Sequence, residues 1–303
     1  MKKTYLIFSF LLLAFSASAQ QQAMFTQYMF NGLMLNPAYA GSHEAISLTA
    51  VGRRQWVGFE GAPNTETISI HAPVRRGKVG VGFYFINDNI GVTSENSFFG
   101  SASYRIKLNK GYLAMGLQFG LLNHRSDFNR LNILDETDPN LTGTVLDVLK
   151  PNVGAGIYYN TNRFYVGLAV PHLLTNDFTS NDGEIVYDQA RHYFMTAGFV
   201  SDITHFLKFK PSILVKAVEG APVELDMNAN FLLNDVLWVG GGYRSFDSFH
   251  LMTQLQLTNQ FAVGYTYDMS VTGLRQENAG THELMLNYRF NFNRKKVVTP
   301  RYF

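Results

Sequence analysis

Residues 207–217 read Leu-Lys-Phe-Lys-Pro-Ser-Ile-Leu-Val-Lys-Ala, an almost regular alternation of apolar and polar side chains. Residues 223–233 alternate in the same way and carry Glu224 and Asp226 on their polar face. Alternation is the pattern of a β-strand whose two faces have different surroundings, and about ten residues suffice for a tilted strand to cross the hydrocarbon layer of a membrane. The two segments therefore predict neighbouring strands that have one apolar and one polar face.

Twelve further segments complete the predicted series, and the connections between them follow a rule of parity. The segments are 45–54, 65–72, 78–87, 97–108, 112–124, 152–160, 163–170, 191–201, 235–244, 249–257, 260–268 and 283–292. Short links such as 109–111 and 233–235 follow even-numbered strands, whereas the longer links 53–64, 125–150, 171–189 and 268–281 follow odd-numbered strands. Two links that follow odd-numbered strands, 218–222 and 245–248, are nevertheless short. Short turns at one end and longer loops at the other are typical of outer-membrane barrels. Residues 45–293 are therefore predicted to form an all-β, transmembrane antiparallel β-barrel of about fourteen strands.

Residues 1–19 have the features of a secretory signal peptide. Lys2 and Lys3 precede an apolar stretch, and Ala17-Ser18-Ala19 provides small residues for cleavage after Ala19. The chain contains no cysteine, so it has neither a lipoprotein attachment site nor a disulfide. We expect export to the cell outer membrane, with residues 294–303 forming a basic periplasmic tail.

Composition and motifs argue against several functional classes. Without the two leader lysines the chain has equal numbers of basic and acidic residues, which is not the charge of a nucleic-acid-binding protein. The eight histidines form no metal-binding pair, and there is no phosphate loop or nucleophile elbow. We therefore predict no enzymatic activity, no cofactor and no metal site, and interpret Asp88, His124 and Asp127 as ordinary loop residues.

The segment 20–44 is apolar but does not alternate, so it requires a buried environment. A short helix ending near Asn36-Pro37 is expected, because a residue that precedes proline avoids the helical conformation. The barrel lumen or its periplasmic mouth is the available location, and Gly80 and Gly82 on one strand face suggest that the lumen is partly occupied. Two interpretations remain open, a plug that stabilises the barrel and a gate or docking surface.

Two groups of charged residues lead to specific hypotheses. A simple hairpin centred on Gly220 places Lys216 opposite Glu224 in the lumen and predicts a cross-strand ion pair, although a bulge would shift this register. The second group is Arg53-Arg54-Gln55-Trp56 together with Phe59. This group is expected to form part of an aromatic girdle at the membrane rim or a loop that binds a partner.

The same segments resemble the PorP/SprF family of Bacteroidota outer-membrane proteins. The similar stretches include Gln27–Asn31, Asn36–Ser42, Arg54–Pro63, Gly80–Gly82, Gly116–Gly120, Val153–Tyr159 and Phe164–Pro171. Asn36, Pro37, Tyr39 and Gly41 belong to the stretch Asn36–Ser42, and the resemblance implies a structural or partner-binding role for them.

The resemblance further implies a function in type IX secretion, surface attachment or gliding. Expected partners are a secreted or surface protein with a type IX C-terminal domain, other periplasmic and outer-membrane components of the pathway, and outer-membrane lipid. A plugged barrel of this size is too narrow to conduct a folded protein, so we expect an adaptor rather than a conduit. The alternatives are a FadL-like transporter of hydrophobic small molecules and an enzyme at the barrel rim.

Overall fold

A computed structural model describes residues 22–43, 45–130, 145–179 and 185–290. In it, the segments with alternating apolar and polar residues form the strands of a single closed sheet. The predicted signal peptide 1–19 and basic tail 294–303 lie outside the described residues. The strands are β1 Ile46–Arg54, β2 Asn64–Val74, β3 Val79–Ile90, β4 Thr93–Lys107, β5 Gly111–Asp127, β6 Val145–Thr161, β7 Phe164–Val170, β8 Asp177–Thr179, β9 Ile185–Asp188, β10 His192–Phe199, β11 Ser201–Asp202, β12 Leu207–Val218, β13 Glu224–Leu233, β14 Leu237–Arg244, β15 Ser248–Gln256, β16 Phe261–Ser270 and β17 Thr281–Phe290.

Fourteen of these elements form the barrel within the described residues. Each strand pairs in antiparallel fashion with its sequence neighbour, and β1 pairs with β17 to close the sheet, with Ile46 opposite Phe290. The short β11 continues β10 along β12 and is counted with β10. Strands β8 and β9 form a separate two-stranded ribbon in the connection between β7 and β10. The predicted barrel of about fourteen strands is confirmed.

The two faces of the barrel wall differ as the alternation predicts. Leu117, Phe119 and Leu251 point outward and expose 68, 61 and 69% of their surface, whereas Lys210 and Glu283 are fully buried on the inner face. A water-soluble sheet protein would place these two classes of side chain the other way round. Lipid accounts for this inversion, because it solvates apolar side chains and leaves the polar ones to the lumen.

The connections divide the barrel into a short-turn end and a long-loop end. The links after β2, β4, β6, β11, β13 and β15 lie at the short-turn end, together with the start of β1 and the end of β17. The links after β1, β5, β7 and β16 are the longest and lie at the opposite, long-loop end. In outer-membrane barrels the short turns face the periplasm.

Several strands extend beyond their predicted limits at the long-loop end. Strand β4 begins at Thr93 rather than at residue 97, and β6 begins at Val145 rather than at residue 152. The interpretation of Asp88, His124 and Asp127 as loop residues is wrong, because the first lies in β3 and the other two in β5. Beyond the lipid both faces of a strand are wet, so the apolar alternation that marks a membrane strand ends before the strand does.

The N-terminal segment, residues 22–43, contains three 3₁₀ turns instead of the expected short helix. These turns span Tyr28–Phe30, Gly32–Met34 and Pro37–Tyr39. Pro37 begins the last turn rather than ending a helix, because a first-position proline has no N–H that needs a partner. Among the described residues no helix is long and apolar enough to span a membrane.

Candidate functional site

The N-terminal segment lies inside the barrel and contacts walls on different sides of the lumen. Thr26, Leu33 and Ala40 are completely buried. Thr26 donates its backbone N–H to Glu283 on β17 (2.8 Å), whereas Asn36 donates its side-chain amide to the carbonyl oxygen of Ile157 on β6 (3.0 Å). The segment therefore crosses the lumen, entering from the long-loop end and leading into β1 at the short-turn end.

Glycines on the inner face of the wall allow this close approach. A Cβ atom added to Gly80 would lie 1.9 Å from the carbonyl oxygen of Ala40, and one added to Gly116 would lie 2.2 Å from the backbone nitrogen of Ala38. Gly156 and Gly264 are equally crowded by side chains of the same segment, at 2.1 and 2.0 Å. The prediction that lumen-facing glycines accommodate something inside the barrel is confirmed.

Asn36 and Pro37 fix the middle of the segment. The Asn36 side-chain oxygen accepts the backbone N–H of Ala38 at 2.9 Å and caps the turn that Pro37 begins. Its amide nitrogen donates to carbonyl oxygens of β6 and β7, which join the turn to the wall. One side chain thus satisfies both the turn and the neighbouring strands, which only a short amide can do here.

Tyr39 and Gly41 attach the segment near the short-turn end. The ring of Tyr39 packs edge-on against His71 and Tyr158, with ring centroids 5.4 Å apart in both cases. Gly41 has a φ of +71°, a conformation that glycine adopts readily. Its carbonyl oxygen accepts a hydrogen bond of 2.6 Å from the guanidinium group of Arg105.

A buried ionic cluster holds the other end of the segment. The guanidinium group of Arg53 forms ion pairs with Asp268 on β16 (2.8 Å) and Glu283 on β17 (3.0 Å). Glu283 also accepts the backbone N–H groups of Thr26 and Gln27, at 2.8 and 2.9 Å. The Thr26 hydroxyl donates to Asp268 and accepts from Arg53. Each of the three charged groups is therefore paired and hydrogen-bonded, which is the condition for burying it, and only the Nε atom of Arg53 and the Oδ1 atom of Asp268 among their polar atoms have no hydrogen-bond partner.

The cluster continues along the inner wall through a second arginine. Arg244 on β14 forms ion pairs with Asp226 (2.9 Å) and Asp247 (3.1 Å). Beyond it, the ammonium nitrogen of Lys216 lies 2.8 Å from a carboxylate oxygen of Glu224, and the two residues are directly opposite across β12 and β13. The register and the cross-strand ion pair predicted from the sequence are confirmed.

The group predicted at the rim is divided by the strand geometry. Arg53 points inward and is 2% exposed, whereas Arg54 points outward and is exposed. Gln55 and Trp56 are partly buried where β1 ends, and Trp56 donates its backbone N–H to the Thr281 hydroxyl. Phe59 is 45% exposed in the loop beyond them.

Arg53 could be singled out from the sequence, but the residues that bind it could not. Asp268 and Glu283 bind Arg53, and Arg244 shares Asp268 with it. All three lie on the lumenal face of strands, where alternation could have placed them, whereas Thr26 lies in the N-terminal segment. The contacts between these residues depend on the register of several strands and on the position of the N-terminal segment. Neither can be predicted from the alternation of residues within a single strand. Among the described residues no group of histidines and carboxylates is arranged to hold a metal ion.

Solved structures of outer-membrane proteins share this architecture at low sequence identity. The CymD monoaromatic hydrocarbon channel is 10% identical, and the alignment covers 88% of this chain and 94% of that one with a TM-score of 0.50. The Ralstonia pickettii toluene transporter TbuX is 11% identical (86% and 93% covered, TM-score 0.49). A Pseudomonas aeruginosa FadL homologue is 12% identical (92% and 97% covered, TM-score 0.46). At this identity the first similarity shows the barrel fold alone.

Sequence comparison identifies the family. No curated protein matches the chain. A family model described as "Type IX secretion system membrane protein PorP/SprF" matches residues 17–288, which include nearly all of the barrel and the N-terminal segment. Together with the lipid-facing apolar surface, this match places the protein in the cell outer membrane. The chain belongs to the PorP/SprF family of type IX secretion system membrane proteins.

Proposed function

We propose that this protein is an adaptor of type IX secretion, which holds a secreted or surface protein at the outer membrane rather than conducting it. The partner carries a type IX C-terminal domain and is bound at the long-loop end. The observation that carries the proposal is the filled lumen, because a barrel that encloses residues 22–43 has no room for a polypeptide.

Specific bonds rather than loose packing support a permanent position for the N-terminal segment. Glu283 accepts two successive backbone N–H groups of the segment, and glycines of four strands (β3, β5, β6 and β16) fit its contour. Withdrawing the segment would leave Arg53, Asp268 and Glu283 in an open channel and would break the two hydrogen bonds that join Asn36 to β6 and β7. Because the segment stays in the lumen, a partner must bind to a surface outside the lumen.

The long-loop end offers such a surface beside the first strand. The loop after β1 is hydrogen-bonded to the loop after β16, through Val57 and the backbone of Ala279 and Gly280. Phe59 stands exposed on this joined pair of loops. An exposed aromatic side chain on a fixed backbone is a suitable anchor for a protein partner.

Site-specific photocrosslinking in cells tests the adaptor role. A photoreactive amino acid at Phe59 is expected to form an adduct with a protein that carries a type IX C-terminal domain. The same residue at Leu117, which faces lipid, is the matched control and should give no such adduct. The proposal is contradicted if the protein with the photoreactive amino acid at Phe59 forms no protein adduct under conditions in which secretion proceeds.

The alternative is a transporter of hydrophobic small molecules. The cavity between the N-terminal segment and β6 and β7, lined by Met29, Leu35 and Tyr158 among others, has a volume of about 20 Å³. A drug-sized ligand requires about 300 Å³ or more. A second cavity, at the long-loop end, reaches this size, at about 320 Å³, but its lining residues do not extend to the short-turn end. Lipid or detergent that copurifies inside the lumen would favour transport over the adaptor role.

A further inference from the structure

Strand β6 has a free edge at the long-loop end of the barrel. It pairs with β5 along its whole length, as far as Val145 opposite Asp127, whereas its ladder with β7 ends at Ala155 opposite Val170. Within the described residues no strand pairs with residues 145–154 on the side that faces β7. The contacts described so far make no use of this edge.

The connection after β7 covers only the part of the edge that is nearest to the barrel. The backbone N–H of Leu173 donates to the carbonyl oxygen of Val153 at 2.8 Å. The chain then turns into the lumen, where Phe178 is 1% exposed and its ring centroid lies 5.1 Å from that of His124 on β5. The ribbon of β8 and β9 therefore covers the lumen and leaves the backbone edge of residues 145–150 open.

The open edge presents the backbone groups of Val145, Asp147 and Leu149. In an antiparallel sheet the N–H and C=O groups of one residue point to the same neighbouring strand, and successive residues alternate between the two neighbours. The carbonyl oxygens of Val153 and Pro151 both accept hydrogen bonds from the connection after β7, so residues 149, 147 and 145 point to that side as well. Among the described residues nothing bonds to them there. Donors and acceptors thus alternate over about 14 Å, at ~3.4 Å per residue.

The free edge lies beyond the lipid. Asp147 and Arg125 on β5 point outward, form an ion pair of 3.7 Å and expose 48 and 54% of their side chains. The side-chain amide of Asn123 also donates to Asp147, at 2.7 Å. Charged side chains on the outer face mark the end of the apolar band, and an open sheet edge does not occur within the hydrocarbon layer. Water therefore solvates the edge in the isolated protein, and the paired charge of Asp147 does not repel an approaching strand.

An extended polypeptide from a different protein matches this row of groups. Main-chain hydrogen bonds to an open edge hold an extended segment as an additional strand. A second copy of the barrel does not fit, because a symmetric pair in one membrane has its two-fold axis along the membrane normal. Both β6 strands would then run in the same direction with identical residues at the same height, so that N–H groups would face N–H groups and carbonyl oxygens would face carbonyl oxygens.

We propose that the free edge of β6 binds an extended segment of the exported partner as an added strand. This inference rests on the adaptor role and specifies how the adaptor holds its partner. The segment has no proline at the positions that face Asp147 and Leu149. It places apolar side chains beside Val145 and Leu149, which point outward and are 40 and 56% exposed.

Crosslinking in cells tests whether the partner uses the backbone of this edge. A photoreactive amino acid at Val145 should capture the same exported protein as the one at Phe59. Adding Leu149→Pro removes an N–H of the edge but no bond to β5, and the adduct at Val145 should decrease at least about tenfold, since a hydrogen bond is lost and the proline ring obstructs the added strand. Leu149→Ala removes the side chain and keeps the N–H, so it is the matched control and should change the adduct about threefold or less.

Amide hydrogen exchange in the wild-type barrel gives a second measurement that depends on no variant of the edge. The barrel purified with the exported protein is compared with the barrel alone. The amides of Asp147 and Leu149 should exchange at least about tenfold more slowly in the complex, whereas the amide of Val148, which points to β5, should not change.

The two measurements separate this inference from the adaptor role. An adduct at Phe59 without one at Val145, an equal effect of Leu149→Pro and Leu149→Ala, or edge amides that exchange equally fast with and without the partner overturns the added strand and leaves the adaptor role intact. The absence of an adduct at both Phe59 and Val145 contradicts both.

Discussion

Glu283 shows how much one lumenal residue contributes to the structure. Its two carboxylate oxygens accept from Arg53, from two backbone N–H groups and from the Gln27 side chain, in a fully buried position. The same residue connects the last strand, the first strand and the N-terminal segment. Removing its charge therefore affects all three elements together.

The variant Glu283→Gln is expected to lower the free energy of unfolding by about 3 kcal/mol, because it leaves a buried arginine short of one carboxylate. Unfolding by urea in detergent, monitored by the change in electrophoretic mobility, measures this loss. Glu219→Gln removes an exposed acid from the loop after β12 and serves as the control. Equal stability of the two variants would show that the Glu283 contacts contribute little.

The Lys216–Glu224 pair allows a direct measurement of a lumenal ion pair. The two side chains are only 6 and 13% exposed, so they are less screened than a surface pair. A double-mutant cycle with Lys216→Met and Glu224→Gln should give a coupling energy of about 1 kcal/mol or more, above the value for exposed pairs. A coupling energy near zero would indicate that water enters between the two groups.

His172, whose Nδ1 atom lies 2.8 Å from the side-chain amide nitrogen of Gln22, is expected to make the attachment of Gln22 sensitive to acid. Burial, reinforced by the nearby His192, lowers the pKa of His172 to about 3 from its ordinary 6.5. Its neutral form is favoured in the folded state, so stability is full above pH 6.5 and decreases as the pH falls from 6.5 towards 3.

At pH 5 this effect amounts to about 2 kcal/mol, given 1.36 kcal/mol per pKa unit. Proteolysis of the N-terminal segment should therefore become faster between pH 7 and pH 5 in the wild-type protein. In His172→Gln the rate should change much less over the same range, after correction for the protease's own pH dependence. Identical pH profiles would contradict a role of His172.

At the scale of elements, the fit between the inner glycines and the N-terminal segment is the decisive feature. A methyl group at Gly116 would overlap the backbone of Ala38, which has no flexible side chain to move aside. Gly116→Ala should therefore displace the segment, at a destabilisation of about 1–3 kcal/mol. The outward-facing Gly52 has no atom within 4 Å of an added Cβ, so Gly52→Ala is the matched control.

Ion conductance across planar bilayers reports this displacement. Wild-type protein and Gly52→Ala are expected to conduct poorly, whereas Gly116→Ala should show larger or more frequent openings. A Gly116→Ala barrel that folds and remains closed would mean that the segment adjusts within the lumen.

The elements also show what the sequence could and could not predict. Strands β12 and β13 could be predicted almost to the residue, because lipid on one side and water on the other impose strict alternation. The outer parts of β4 and β6 could not, since alternation ends where lipid ends. The 3₁₀ turns were missed because their stability comes from the capping of Asn36 and from the surrounding wall, not from local helical preference.

The candidate site was predictable only in its parts. The Lys216–Glu224 pair follows from a single hairpin, and the sequence was enough to place it. The Arg53 cluster combines residues separated by up to 257 positions, so its composition depends on the closure of the whole sheet.

The whole molecule has an uneven distribution of charge despite its balanced total. The turns at the short-turn end carry exposed Arg75, Arg76, Lys78, Lys107 and Lys110. The two acids of the neighbouring turns, Asp202 and Asp235, are each paired with a basic residue. This end of the barrel therefore presents excess positive charge, and we predict that it contacts an acidic surface of a periplasmic protein.

A variant in which glutamine replaces Arg75, Arg76 and Lys78 tests this contact. Crosslinking to the periplasmic protein should become about five- to tenfold weaker at physiological ionic strength, because each exposed charge contributes a few tenths of a kcal/mol or more. The matched control replaces Arg54, Arg130 and Arg275, which are exposed near the long-loop end. An equal effect of both sets, or crosslinking to anionic phospholipid instead of protein, would contradict the proposed periplasmic contact.

The bonds between Glu283 and the backbone of residues 26 and 27 also constrain the order of assembly. The N-terminal residues emerge first during synthesis, yet their partner is in the final strand, 256 positions later. Loop closure over such a distance is slow, so earlier hairpins form while the first residues still wait for a binding site. A chain that lacks its last hairpin can hold Asn36 against β6 and β7 but cannot hold residues 26 and 27, so closure of the cylinder and the final attachment of the chain's beginning become a single late event.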